Sequence, residues 1–318
     1  MARAAGVVGS KLGELIIVVA LIVLLTSVLV RLIPGSPATT ILGSAASAEA
    51  IESLNQQLGL DRPVWAQAVN GLLQVATGDL GQSLTEGRSV WSIILDALPV
   101  TLSVIFVALV IALLVGLTVG LVAGYRNSRR WGHAVDLSSS ILIALPPFVT
   151  GTVLLLVFGI WLNVLPAGGW GASPIDNVRF IWLPAITLSM VAVAPIARTA
   201  YRSTQEVMKE EYVDAARSRA LSETHIAIRH VLPITALPLI TLVAFNASIL
   251  LGGAIIVEAV FGLPGFGQAL STAVLSRDYP TVAGMTIASA IFVVIINMVA
   301  DLAVAFIDPV QRGKRWSR

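Results

Sequence analysis

The chain has 318 residues, 56% of them hydrophobic and only 12% charged, with a mean hydropathy of +0.88. A soluble domain carries about 25% charged residues, so the ordinary globular class is excluded, and so is disorder. Lys+Arg 20 against Asp+Glu 18 leaves a formal +2, too little for a nucleic-acid binder working through a basic face. With no cysteine, neither a disulfide framework nor a thiolate metal site can form. The composition is that of a polytopic, all-α integral membrane protein.

A bilayer core of about 30 Å needs about 20 mostly apolar residues per helix. Residues 1–33 hold a short N-terminus and a first span at 15–33. Arg3 and Lys11 precede that run and Ala46-Ser47-Ala48 resembles a cleavage site, but it lies too far beyond the run, so an uncleaved helix is expected. The outer segment 34–96 follows. A short helix begins near Glu49 and closes at Gly59. Pro63 opens a second helix whose Trp65, Val69, Leu72 and Leu73 give it an apolar side seated on the membrane surface. Gly78-Asp79-Leu80-Gly81 reads as a turn, and Val90, Trp91, Ile93, Ile94 and Leu98 form an apolar face leading into the next span.

Residues 97–307 make a five-helix core with spans at 98–125, 134–162, 180–202, 233–260 and 282–307, six in all with the first. In the second span Ala108, Ala112, Gly116, Gly120 and Gly124 recur every fourth residue, a stripe that admits a close helix from this chain or from a partner subunit. The third span is overlong and contains Pro146-Pro147, where a kink or break is expected. With both termini inside, fifteen Lys and Arg fall on the cytoplasmic side. Arg62, Arg88, Arg179 and Arg277 fall outside, and Arg31 lies near the end of the first span. That bias predicts cytoplasmic termini, with a basic tail at 308–318.

No chemistry of the chain's own is legible. It lacks a phosphate-cradling G-x-x-x-x-G-K-[ST] loop, an H-E-x-x-H pair and a G-x-S-x-G elbow, so no catalytic residue or metal site is assigned. His133, His225 and His230 all fall in cytoplasmic loops. A proton-driven carrier places acids deep in its spans. The candidates here, Asp136, Glu258 and Asp301, lie near span ends, with Glu258 read as an anchor for the outer loop. A self-sufficient secondary transporter using Glu258 or Asp301 remains the alternative reading. Asn246 and Ser248 are candidates for lining a pore, or for ordinary helix packing.

The inner loop 205–232 is dense in charge. Val207, Met208, Tyr212, Ala215, Ala216 and Arg219 at three- and four-residue steps predict one helix with a compact side. Ser222 is a plausible N-cap for a second short helix, with Glu223 in its first turn. Pro233 then opens the fifth span.

The run Glu211-Tyr212-Val213-Asp214-Ala215-Ala216-Arg217-Ser218-Arg219-Ala220-Leu221-Ser222-Glu223 resembles the "EAA" loop of ABC importer permeases. Further runs narrow the resemblance to B-type permeases of dipeptide, oligopeptide and nickel importers. These are Ile33-Pro34-Gly35-Ser36-Pro37-Ala38, Leu58-Gly59-Leu60-Asp61-Arg62-Pro63, Gly78-Asp79-Leu80-Gly81-Gln82-Ser83, Val257-Glu258-Ala259-Val260-Phe261-Gly262-Leu263-Pro264-Gly265-Phe266-Gly267, Arg277-Asp278-Tyr279-Pro280 and Asp308-Pro309.

The resemblance implies a type I importer permease fold in the cell membrane, half of a pore worked by alternating access. Glu211, Tyr212, Asp214, Ala215, Ala216, Arg217, Ala220 and Leu221 would form the coupling helix and its turn. Glu258, Phe261, Gly262, Pro264, Gly265, Gly267, Arg277 and Asp278 would lie toward the outer gate and the docked binding protein. The implied partners are a homologous permease, two ATPase subunits that use ATP and Mg, and an extracytoplasmic solute-binding protein. No cofactor is expected on this chain, and the implied solutes include peptides, glutathione, nickel chelates and haem. Asp214 stands where the family usually has Glu, and Ala220 where it usually has Gly. Either the Ala220 turn is left-handed, costing on the order of 1 kcal/mol relative to glycine, or it is right-handed.

Overall fold

The computed structural model describes residues 2–32, 42, 46–57, 61–126 and 128–307. Ile33 to Ala38, Leu58 to Leu60 with the expected Gly59 cap, Asp308-Pro309 and the basic tail lie outside the described residues, as does the side chain of Asp301. Twelve labels cover the helices in chain order. They are α1 (Ala2–Leu32), α2 (Ala48–Gln57), α3 (Val64–Ala76), α4 (Val90–Arg126), α5 (Arg129–Ala144), α6 (Pro147–Leu154), α7 (Pro174–Val207), α8 (Glu211–Ser218), α9 (Glu223–Ile226), α10 (Leu232–Phe261), α11 (Phe266–Leu275) and α12 (Tyr279–Ile307). Wider π-helical turns extend α6 over Leu155–Trp161 and join α9 to α10 over Ala227–Val231.

Among the described residues each of the six predicted spans falls on helix, the third with an interruption at Leu145-Pro146. Among the described residues four helices are long and apolar enough to cross a membrane: Val90–Arg126, Ile175–Val207, Pro238–Phe261 and Tyr279–Val299. The third predicted span is a broken pair, α5 and the extended α6, bent by 93°. Leu145 ends α5 in an extended conformation, Pro146 caps α6 and Pro147 takes its first position, where a missing N–H costs nothing. In α1 the apolar stretch among the described residues is Gly13–Val28, shorter than the others.

The chain divides into two compact units, Met1–Val100 with Pro264–Ile295 and Thr101–Leu263 with Ile296–Arg318. In the first, Val90, Ile93, Ile94 and Ala97 pack on Phe266 and Met285. A second cluster joins α1, α3 and α12 through Val23, Ala68 and Ile287, flanked by Val19, Ile22, Leu72, Val75 and Ile291. Here α3 sits close against α1, for a Cβ built on Gly71 would lie 2.8 Å from Val23 Cγ1. The helix expected to rest on the membrane surface therefore packs along the apolar length of two long helices.

In the second unit the small-residue stripe of α4 is an intrachain seam. Ala108 and Ala112 are fully buried, and a Cβ on Gly120 would meet Ala200 Cβ at 2.5 Å and the Ala197 carbonyl at 2.6 Å. Ile196 and Thr204 crowd Gly116 and Gly124 in the same way, so the backbone of α4 runs directly against α7. At this seam Val135 of α5 joins Ala123 of α4 and Ala197 and Tyr201 of α7 in one cluster.

Candidate functional site

The loop before α10 is built on the end of α7. That helix stops at Val207, and Met208, Lys209 and Glu210 turn the chain before α8 starts. Because helical counting restarts at Glu211, the compact side expected from Val207 to Arg219 does not form. The buried residues of α8 are Val213 and Ala216, packed with Val207, Ile226 and Val231 beside Leu121 and Met208. Tyr212, Ala215 and Arg219, expected on the compact side, are exposed instead. Glu211, Asp214, Arg217, Ala220 and Leu221 are exposed as well, whereas Ala216 points inward.

Helix α8 ends in a Schellman motif. The Leu221 N–H reaches the Ala216 carbonyl (3.4 Å) and the Ala220 N–H the Arg217 carbonyl (2.8 Å), with Ala220 at φ +56°. The turn is thus left-handed, in the conformation glycine adopts without penalty. Two more helices end alike, α3 with Gly78 at φ +79° and α11 with Arg277 at φ +57°.

Ser222 then caps α9 as expected, its Oγ accepting from the His225 N–H (3.3 Å). Arg217 ties the two short helices together, 3.2 Å from Glu223 and 3.6 Å from Asp214. From α4 the Tyr125 hydroxyl donates to the Glu223 carbonyl (3.3 Å). The Tyr212 ring lies 6.4 Å from that of His230, which in turn is 6.0 Å from His225. Desolvation at its partly covered ring, and then the Glu210 charge, push the Tyr212 phenol above its ordinary value. The result is a braced helical knob with Glu211, Tyr212, Asp214 and Ala215 outward.

The residues expected on the outer side divide between the two units. In one, α10 ends at Phe261 with Gly262 left-handed (φ +62°), and the Leu263 N–H returns to the Glu258 carbonyl (3.0 Å). The Phe261 carbonyl accepts from Gly169 N–H at 2.7 Å. Glu258, 1% exposed, accepts a short hydrogen bond from the Thr101 hydroxyl. It is an internal tie between α10 and α4.

In the other unit Pro264 is exposed, Gly265 caps α11 and Gly267 is buried. Asp278, 1% exposed, gathers the Ser83 hydroxyl (2.5 Å), the Leu84 N–H (3.1 Å), the Thr85 hydroxyl (3.2 Å) and the Thr281 N–H (3.3 Å). Burial works against its charge, but the bonds from Ser83, Leu84 and Thr281 prevail and hold its carboxyl below the usual 3.8. Ser83, Thr85 and Thr101 were not singled out from the sequence for these ties. Ser83 stands 195 residues from Asp278, a pairing that no local pattern announces.

The two pore-lining candidates spend their polar groups locally: Asn246 Nδ2 donates to the Leu242 carbonyl (2.8 Å) and the Ser248 hydroxyl to the Ala244 carbonyl (3.3 Å). Asn246 is 3% exposed and Ser248 half-buried. Asp136 pairs with Arg198, whose Nη2 also donates to the Asp136 carbonyl (2.9 Å) and the Ser140 hydroxyl (2.7 Å).

Residues 116–313 match the family described as binding-protein-dependent transport system inner membrane component, and residues 7–105 match the corresponding N-terminal family. The glutathione transport system permease protein GsiC of Escherichia coli (strain K12) is 33% identical, the match covering 90% of this chain and 92% of that protein. The di/tripeptide transport system permease protein DppB of Pseudomonas aeruginosa is 31% identical over 97% of this chain and 99% of its own. Among solved structures, a chain of the inward-facing MetNI methionine ABC transporter superposes with a TM-score of 0.53 at 16% identity, covering 68% of this chain and 96% of that one. That likeness is one of fold, and it agrees with the type I importer architecture. The chain belongs to the binding-protein-dependent transport system inner membrane components, as a multi-pass ABC importer permease of the peptide/nickel group.

Proposed function

We propose that this chain forms half of the translocation pore of an ATP-driven peptide importer and couples to the ATPase subunits through α8. The observation that carries the coupling is the braced knob: Val213 and Ala216 lock α8 to the chain, while Glu211, Tyr212, Asp214 and Ala215 stay on the surface. An acid beside a small residue suits a helix that seats in a groove of a partner. The full assembly holds a homologous second permease, two ATP-binding subunits on the cytoplasmic side with both termini, and an extracytoplasmic solute-binding protein. Closing of the ATPases on ATP and Mg draws the two coupling helices together and turns the pore outward; hydrolysis and release reset it. The chain does no chemistry itself. The substrate class follows the relatives, whose names include di/tripeptides and glutathione.

The test is purification of the tagged chain from its native membrane, with and without Asp214→Arg. The native chain brings down a second permease and ATP-binding subunits; the variant keeps the permease and loses the ATPases together with uptake. Unchanged ATPase recovery and uptake in Asp214→Arg refute coupling through α8. The rival secondary transporter using Glu258 or Asp301 is not favoured. It requires uptake that survives ATP depletion and collapses with the proton gradient.

A further inference from the structure

We propose that α3 is a half-membrane helix, with Trp65, Val69 and Leu73 laid against lipid acyl chains in the leaflet nearer the Leu32 end of α1. This rests on the reading of α1 and α12 as membrane-crossing helices. The thirteen residues of α3, VWAQAVNGLLQVA, carry no charge. One side, Ala68, Leu72 and Val75, is taken up by α1 and α12. Trp65, Val69 and Leu73 recur every four residues on another side and are 70%, 49% and 62% exposed.

The depth of that stripe follows from the helices behind it. On α1 the contact residues Val23 and Val19 stand five and nine residues inside Val28, the outer limit of the described apolar stretch. At 1.5 Å per residue that is about 7 and 13 Å of depth. On α12 Ile287 and Ile291 stand eight and twelve residues inside Tyr279, about 12 and 18 Å. The hydrocarbon half-thickness is about 15 Å. Both helices thus place these contacts about 7–18 Å deep, from within this leaflet to just past the midplane and well below a surface seat. On α1, against which α3 packs, Ile16, Ile17, Leu21, Leu24 and Leu25 are exposed as well. Asn70 and Gln74, also exposed, run along the neighbouring edge and make the helix amphipathic.

The absence of cysteine makes the test direct. Val69→Cys and Leu73→Cys are spin-labelled in the assembled transporter in lipid vesicles, and collision rates with oxygen and with a water-soluble nickel chelate are compared. Leu21→Cys on α1 serves as the lipid reference and Glu86→Cys as the water reference. The expected oxygen-to-nickel ratio at 69 and 73 matches Leu21 and exceeds Glu86 several-fold. A ratio like that of Glu86 at both positions overturns the proposal and leaves the stripe in water. Suppression of both collision rates with an immobilised label also overturns it, showing a protein partner on the stripe. If Leu21 itself reads as water-exposed, the spanning assignment of α1 fails and the proposal falls with it.

Discussion

Ala220→Gly is the substitution whose effect the structure specifies best. Ala220 occupies the left-handed position of the α8 Schellman motif at φ +56°. Holding an L-residue there costs about 1–2 kcal/mol. Glycine removes that cost but gives the unfolded chain extra freedom worth about 0.5–1 kcal/mol. The balance favours glycine by roughly 0.7 kcal/mol, a factor of about three in a local opening equilibrium. The readout is amide exchange at residues 220 and 221, whose N–H groups close on the Arg217 and Ala216 carbonyls. Exchange there slows about threefold in Ala220→Gly and quickens in Ala220→Val, because a β-branched side chain tolerates positive φ worse than alanine. Equal or faster exchange in the glycine variant, with no penalty in the valine one, refutes a left-handed turn at this position.

Asp278→Ala removes the acceptor of the half-buried Leu84 N–H and of the buried Ser83 hydroxyl, so a loss of about 1–3 kcal/mol is expected as a lower melting temperature in detergent. Because the folded carboxyl titrates below its ordinary 3.8, its stabilisation is complete above that pH and is lost as pH falls through the folded value. The native chain therefore loses melting temperature in that acid window by a component that Asp278→Asn lacks; parallel profiles refute the assignment. Gly120→Ala forces a methyl to 2.5 Å from Ala200 Cβ and costs about 1–3 kcal/mol, read as a lower melting temperature. Glu258→Gln keeps an acceptor for Thr101 and leaves ATP-driven uptake intact, whereas loss of uptake with a preserved fold returns the proton-driven reading.

Helices were legible wherever one physical rule governed a long stretch. Apolar runs located the long helices, Pro146-Pro147 marked the break, and the four-residue stripe of α4 announced a close neighbour without naming α7. The Ser222 cap was readable because a hydroxyl before a charged turn acts within three residues. The face of α8 was misread for a local reason: periodicity was carried from Val207 through Met208 to Glu210, where the helix is interrupted and its phase is lost. Membrane depth of α3 depends on which neighbours it finds, and its uncharged, half-polar sequence suits both a surface and a buried seat. The ties of Asp278 to Ser83 and of Glu258 to Thr101 join residues more than 150 positions apart. Neither end carries a mark that specifies the other. Handedness at Ala220 was undecidable because the residue there is the less common solution to the same cap.

The seam between α4 and α7 has a mechanical consequence. Gly116, Gly120 and Gly124 each receive a different protrusion of α7, namely Ile196, Ala200 with Ala197, and Thr204. A slide of α4 by less than a full four-residue step moves the glycines off those protrusions. Only a slip of four residues, about 6 Å, returns small residues to face them. The pair is geared with coarse teeth, so small thermal displacements of α7 carry α4 along rather than past it. A displacement of α7 at its Val207 end, from which the chain runs on to α8, is thus carried to two helices at once.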